Sequence, residues 1–598
     1  MRRATLLAAV LAGLCAVGAP SARGEPPSGF AEWGASTFEH AQREGRVVLL
    51  MVSTSWCHWC HVMKRETYGD ARVRAVLARR FLPIYVDADA RPDLAERFRR
   101  YRWPTTAFLT AAGEPVLALR GYRGPDALLR VLDQVDKLVA AGGPYPGFAD
   151  PNADVGPLRR AEDLEALVRS IEARLDAAWD EQAAGWGRPQ KYPLADPVLD
   201  ALERSYADPV GGAQGWKRAI RTLEAWRSLI DPVAGGMYQY SLEGRWDRWH
   251  PEKIVSVNAG ALMAYAEAFA RTGEERWMRA GAPLVRWMLG TLQQPGGAFG
   301  ASQDADAPGL AGEAYHRLDA AGRAPHGVPR VDTNVYASEN GQIIEALVRW
   351  AVATDSPNAL DAAERAAERL VKTHVSEGGE VLVHAAGGDG GRLFLVDYAD
   401  LGGALVALAT ARGFESERGA RHLAAARALA RGMDTYLGDR ETGAWADATL
   451  GHGDVGLFAV RRSSLEGVAR AVRFRLHLGA TEAERETCTQ ALRAVADERA
   501  VQEHGFHGAG ALRAARRLVD LARGPVLRVA LRERGPASAA LLREVRLAAL
   551  RDPRVRLDPS FEHGPAATIC TESTCHEAED LADLRRTLVE LLGPGTSR

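Results

Sequence analysis

No basic excess stands out in this chain: 75 Lys and Arg stand against 77 Asp and Glu, a formal charge of −2 over 598 residues. Phosphate-backbone binding needs clustered positive charge, so a general nucleic-acid binder is excluded. Beyond Ala19 no apolar run is long enough to cross a bilayer, and no membrane span is expected in the mature chain. Cysteine is sparse. Of six residues, Cys57 with Cys60 and Cys570 with Cys575 form close pairs, while Cys488 falls in a helical stretch and reads as a small buried apolar side chain. Lysine is scarcer still for its class. Lys64, Lys137, Lys191, Lys217, Lys253 and Lys372 are six of the 75 basic residues, so a lysine set among other polar groups marks a position to follow.

The N-terminus has Arg2 and Arg3, an apolar run from Ala4 to Ala19, and Ala22-Arg23-Gly24 as a small-x-small cleavage site. That pattern reads as a secretory signal peptide over residues 1–24 and implies a periplasmic or extracellular, oxidising setting. An uncleaved anchor is the alternative. At this length one hydrophobic core is not enough, and two to four domains are expected.

What is present concentrates first between Val47 and His61. Val47 to Val52 has the length and β-branched content of a fully covered strand, and Trp56-Cys57-His58-Trp59-Cys60-His61 comes where a helix would begin. A first thiol at a helix start meets the positive end of the dipole, which lowers its pKa and makes it a nucleophile. The segments then alternate as β-α-β-α-β-β-α, closing with an amphipathic helix from Pro125 to Val139, so residues 25–145 form one unit. This order, with Trp-Cys-x-x-Cys after the first strand and Trp103-Pro104-Thr105 before the third, resembles the thioredoxin fold. The resemblance implies a cis Pro104 that positions a substrate, Cys57 as the attacking thiol and Cys60 as the resolving one. Trp56 and Trp59 would shield the dithiol, and charged His58 would favour its thiolate. Met51 stands where thioredoxins carry a buried acid. Haem attachment through Cys-x-x-Cys-His, a zinc site using His58 or His61 with both thiolates, and a purely structural disulfide are the rival readings.

Residues 154–524 read as helices separated by glycine-rich loops at Gly185, Gly235, Gly296, Gly378, Gly443 and Gly505. Their spacing leaves room for about twelve amphipathic helices, two per loop, which close as an (α/α)6 toroid with a funnel at one end. The loops supply a second set of candidate residues. Tyr238, Tyr240, Trp246 and Trp249 offer flat faces suited to sugar rings, and Asp247, His250, Glu252 and Lys253 offer acid or base groups. Asp304, Asp306, Glu313 and Asp397 add carboxylates, as glycosyl transfer or sugar epimerisation requires. Helix capping and rim ion pairs would account for the same residues without any chemistry. Residues 525–598 read as a small α/β appendage in which Cys570 and Cys575 close a local disulfide or relay electrons for the N-terminal dithiol.

Taken together, Cys57-His58-Trp59-Cys60-His61-Val62-Met63, Pro189-Gln190-Lys191-Tyr192-Pro193, Tyr240-Ser241, Trp249 to Lys253, Asp304-Ala305-Asp306 and the C-terminal cysteine pair resemble the spermatogenesis-associated protein 20 type of thioredoxin-domain family. That resemblance implies a thioredoxin-like domain fused to a six-hairpin toroid similar to N-acylglucosamine 2-epimerases and six-hairpin glycosidases. Ser55-Trp56 and Arg102-Trp103-Pro104-Thr105-Thr106 depart from its pattern toward ordinary thioredoxins. The expected function is thiol-disulfide exchange by an exported protein. A carbohydrate-active toroid with a structural or regulatory dithiol, and a redox-sensing scaffold, are the alternatives. A protein carrying a thiol or disulfide and a sugar-like small molecule are the expected partners, and no cofactor or metal is called for.

Overall fold

A computed structural model describes residues 26–147, 164–187, 189–387, 391–451, 453–497, 500–501, 504–531, 536–558 and 566–593. The expected signal peptide lies outside the described residues. No helix among them is long and apolar enough to cross a membrane.

The first unit comprises α1 (Ala35–Glu44), β1 (Val47–Ser53), α2 (His58–Val62), α3 (Ala71–Arg80), β2 (Phe81–Asp87), α4 (Pro92–Phe98), β3 (Thr105–Leu109), β4 (Pro115–Arg120) and α5 (Pro125–Ala140). Its sheet runs β2-β1-β3-β4, with β1 parallel to β2 and antiparallel to β3. β1 is buried along its whole length because both faces are covered. Val48, Leu50 and Val52 pack with Phe38, Leu94 and Phe98, whereas Val47, Leu49 and Met51 pack with Val73, Leu77, Leu128 and Leu132. An unbroken apolar run is what a two-sided strand requires.

Twelve long helices among the described residues build the ring of the second unit. α7 (Ala195–Ala207), α9 (Val255–Thr272), α11 (Ala337–Thr354), α13 (Leu395–Arg412), α15 (Leu465–Leu478) and α17 (Ala509–Arg523) pack side by side, and α17 returns to α7 to close the ring. Around them lie α6 (Leu164–Ala178), α8 (Ala213–Trp226), α10 (Glu275–Trp287), α12 (Pro357–His374), α14 (Glu417–Tyr436) and α16 (Glu482–Val495). This is an (α/α)6 toroid. Inner helices such as α9 and α13 are buried nearly all round, so their sequences carry Ala and Gly in place of a polar face.

Close approach of inner helices depends on those small residues. A Cβ on Gly341 of α11 would stand 2.4 Å from the Asp400 carbonyl carbon of α13. Gly341→Ala is therefore expected to cost about 1–3 kcal/mol as the helices are forced apart. Urea denaturation of the full chain measures it, and an unchanged midpoint would contradict the packing.

The third unit comprises β10 (Leu527–Leu531), α18 (Pro536–Arg551), β11 (Val555–Asp558), β12 (Ala567–Cys570), β13 (Cys575–Ala578) and α19 (Leu581–Leu592). Its sheet order is β11-β10-β12-β13, with β10 parallel to β11 and antiparallel to β12, the same pattern as the N-terminal sheet. Two sheets of one topology thus flank the toroid in sequence. Cys570 pairs directly with Cys575 across β12 and β13, and a disulfide joins them. Cys488 is free and buried.

Candidate functional site

Cys57 caps the start of α2, its sulfur accepting the Cys60 amide at 3.2 Å, and the two cysteines are disulfide-bonded. The pair is almost sealed: Cys57 is 5% exposed and Cys60 0%. Trp56 and Trp103 cover it from its own domain, and Ile254 covers it from the toroid. Trp103–Pro104 is a cis peptide, and Pro104 is buried. Trp59, by contrast, is 46% exposed and leans on Tyr122, so the shield is Trp56 and not Trp59.

The toroid reaches this loop through a small sheet of β7 (Lys253–Ile254), β8 (Ser302–Gln303) and β9 (Val331–Asp332). Antiparallel pairing sets Lys253 opposite Gln303 and Ser302 opposite Asp332. Glu252, Asp304 and Arg330 therefore lie side by side at one end, although far apart in the chain. From that edge Glu252 accepts the His58 amide at 3.4 Å, and Asp306 pairs with His58 Nδ1 at 2.7 Å. Ser55 Oγ donates to Asp332 at 2.5 Å, and Arg330 donates to the Ser55 carbonyl.

Charge states are set by these partners. The Asp306 hydrogen bond raises the His58 pKa. Burial pulls His61 down to about 4, and its Nε2 donates to the Ser55 carbonyl at 2.9 Å. A neutral ring in that tautomer turns the Nδ1 lone pair toward Asp304, 3.5 Å away, whose carboxyl burial pushes up to about 7. His61, Asp304 and Asp306 bring ligand atoms within 4.8 Å of one another and are the described group able to hold a cation.

A second set of contacts grips the other side of the loop. Trp56 Nε1 donates to Asp89 at 2.9 Å, the Asp89 carbonyl accepts from His384 Nε2 at 2.8 Å, and His384 Nδ1 pairs with Asp397 at 2.9 Å. Burial opposes charging of His384, but Asp397 outweighs it and the pKa rises to about 9. A folded pKa above the unfolded value of about 6.5 gives stability that is complete below that value and lost as pH rises through about 9. The melting-temperature gap between the wild type and His384→Asn should therefore be widest near pH 6 and shrink above pH 9. A gap that is constant with pH would refute the charged pair.

The predicted toroid residues do not form one pocket. His250, Glu252, Asp304 and Asp306 gather at the dithiol, with His250 bonded to Glu252 and stacked on Tyr240. Lys253 and Tyr238 instead join a buried cluster. Lys253 donates to Asp231 at 2.8 Å, Arg323 donates to the same carboxylate at 2.8 Å, and Tyr238 meets His316 at 3.3 Å with the Trp249 ring tilted against it. Asp397 lies apart, with His384. Trp246 is buried as a donor to the Ala183 carbonyl, while Asp247 and Glu313 make exposed pairs with Arg245 and Arg317. Lys253 braces its loop because a lysine without solvent needs a carboxylate and carbonyl oxygens around it. Lys191 braces the preceding loop alike, through Asp180 and the Gly187 carbonyl. Sequence reasoning missed Asp89, Arg330, Asp332 and His384, for which no local motif exists.

Behind Ile254 lies the toroid's own cavity of about 540 Å3, lined by Tyr192, Gln239, Gln342, Glu345, Asp400 and Arg470 among others. Residues 22–139 match the family model described as Thioredox_DsbH, a protein of unknown function, DUF255. The N-terminal region thus matches a thioredoxin-like domain model. Over 316 residues the chain is 24% identical to spermatogenesis-associated protein 20 of Homo sapiens, a match covering 47% of this chain and 39% of that protein. An uncharacterised protein of Caenorhabditis elegans is 25% identical over 309 residues, covering 47% and 42%. The chain thus spans about two fifths of the length of these relatives. Among solved structures, a cellobiose 2-epimerase from Spirochaeta thermophila matches 60% of this chain and 98% of its own at 14% identity and a TM-score of 0.44. A sugar epimerase from a ruminal bacterium matches 55% and 85% at 13% identity and a TM-score of 0.43.

Proposed function

We propose that the chain is an exported thiol-disulfide oxidoreductase whose dithiol works at the junction between its thioredoxin-like domain and the toroid. The observation that carries this reading is Cys57 at the start of α2, with the Cys60 amide aimed at its sulfur and Pro104 in the adjoining loop. A thiolate there is stabilised by the amide and by the helix start. Cys57 would attack a substrate disulfide and release one thiol; Cys60 would then displace the second, leaving the Cys57–Cys60 disulfide and a substrate reduced by two electrons. The charged run at Arg2 and Arg3 followed by apolar residues supports export. Near-complete cover of the sulfurs favours a small disulfide, or a protein partner admitted by separation of the two units. Turnover of glutathione disulfide by the reduced full chain, beside its Cys57→Ser variant, tests the reading.

A second reading, a carbohydrate-active toroid, is favoured by the 540 Å3 cavity with its carboxylates Glu345 and Asp400. Thermal stabilisation by a panel of neutral and acidic sugars separates it from the first. No stabilisation by any of them would exclude it.

A further inference from the structure

At the seam between the two units lies a pocket of about 370 Å3 that no part of the redox reading uses. Arg97, Arg99, Arg100, Arg102 and Arg120 enter it from the thioredoxin-like domain, and Arg462 enters from the toroid, with Glu96 as the carboxylate in its lining. Glu96 is taken up by Arg99 at 3.3 Å, and Arg462 lies 3.9 Å from Asp447. Among the described residues Arg100, Arg102 and Arg120 have no carboxylate partner within ion-pair distance. Like charges gathered in a concave space repel one another, and such an arrangement concentrates counter-ions.

Other features are consistent with a built site. Arg102 holds a left-handed backbone, φ 58°, which a side chain with a Cβ adopts at a cost. That conformation sets its guanidinium over the Tyr192 ring, 4.9 Å from the centroid, and lets it donate to the Tyr192 hydroxyl. His504 and His507 line the same space. Burial, then the nearby arginines, hold both near 4, so they are neutral and His504 is free to accept from Arg99. Glu96, Arg99 and His507 also line the toroid cavity, so the two spaces adjoin.

We propose that this seam pocket binds a small molecule bearing two or more anionic groups, carboxylates or phosphates, whose charges bridge the thioredoxin-like domain and the toroid. Guanidinium groups match both anions through paired N–H donors. The body of the ligand would extend toward Tyr192 and the toroid cavity. The inference does not rest on the redox reading, since no sulfur takes part.

Isothermal titration of the full chain with citrate, with pyrophosphate and with neutral glucose tests it. One equivalent of citrate or pyrophosphate should bind, glucose should not, and which anion binds more tightly tells carboxylate from phosphate. Arg100 and Arg120 are exposed, so R100Q/R120Q should fold normally and bind at least about tenfold more weakly. Arg102→Gln, checked for folding by circular dichroism, should weaken binding further. Absence of binding by both anions, or binding to R100Q/R120Q with unchanged affinity, would overturn the proposal.

Discussion

Asp231→Asn is expected to destabilise the chain by about 3–5 kcal/mol, the cost of leaving buried cations without their anion. The Asp231 side chain is fully buried, and its carboxylate accepts from Lys253 and Arg323 at 2.8 Å each while also taking the Val233 amide at 2.9 Å. Lys253 and Arg323 are 1% and 4% exposed, so neither can turn to water once the charge is gone. Asparagine keeps the shape and the turn but not the charge. Burial already pulls the Lys253 pKa down to about 8, and without Asp231 it falls further. Deprotonation then relieves part of the loss, so the deficit against the wild type should be larger at pH 7 than at pH 9. Guanidinium denaturation at the two pH values measures both effects, and a deficit below about 1 kcal/mol at pH 7 would show that the cluster is not a charge-paired core. The consequence reaches the dithiol. Lys253 begins β7, and Glu252 beside it touches the His58 amide, so loosening the cluster moves the toroid's edge away from α2.

The fold was legible where local pattern and burial agree. Val47 to Val52 reads as a covered strand because both faces of β1 are packed, and the glycine loops mark the helix pairs because Gly235 and Gly236 take φ of 77° and 75° in a turn pressed against Pro283 and Trp287. Lysine scarcity pointed to Lys253 as special, but the reason is a buried brace, which Lys191 repeats in the preceding loop. The candidate site was legible only in part. Asp304 and Asp306 stand out as a motif, yet nothing local says that they face His61 and His58, far earlier in the chain, because that pairing is made by β7, β8 and β9 docking on another domain. Asp89, Asp332 and His384 are single polar residues whose partners lie across the same interface. The C-terminal sheet order was equally hidden, since short strands with no turn motif do not reveal their neighbours.

Cys57→Ser is expected to lower glutathione disulfide turnover by roughly a hundredfold or more, because the attacking sulfur is removed and a serine hydroxyl is not ionised at neutral pH. Cys60→Ser should behave differently. Cys60 is fully buried while Cys57 retains a trace of exposure, so the first attack survives and the mixed disulfide has no internal thiol to resolve it. Mass spectrometry of that variant should show one glutathione equivalent on Cys57, and an adduct on Cys60 in Cys57→Ser instead would reverse the assignment. The surroundings also bear on the direction of electron flow. Glu252 at the α2 start, with Asp306 nearby, works against a thiolate, while His58, its pKa raised by the Asp306 hydrogen bond, and the Cys60 amide favour it. With carboxylates opposing the dipole, the reduced form gains little of the extra stability that makes a strongly oxidising dithiol. The reduction potential of Cys57–Cys60 should then fall nearer thioredoxin's, about −270 mV, than the roughly −120 mV of a strong oxidant. Glu252→Gln should raise it toward the oxidising side, and a wild-type value already near roughly −120 mV would mean that His58 and the helix start prevail over the toroid's carboxylates.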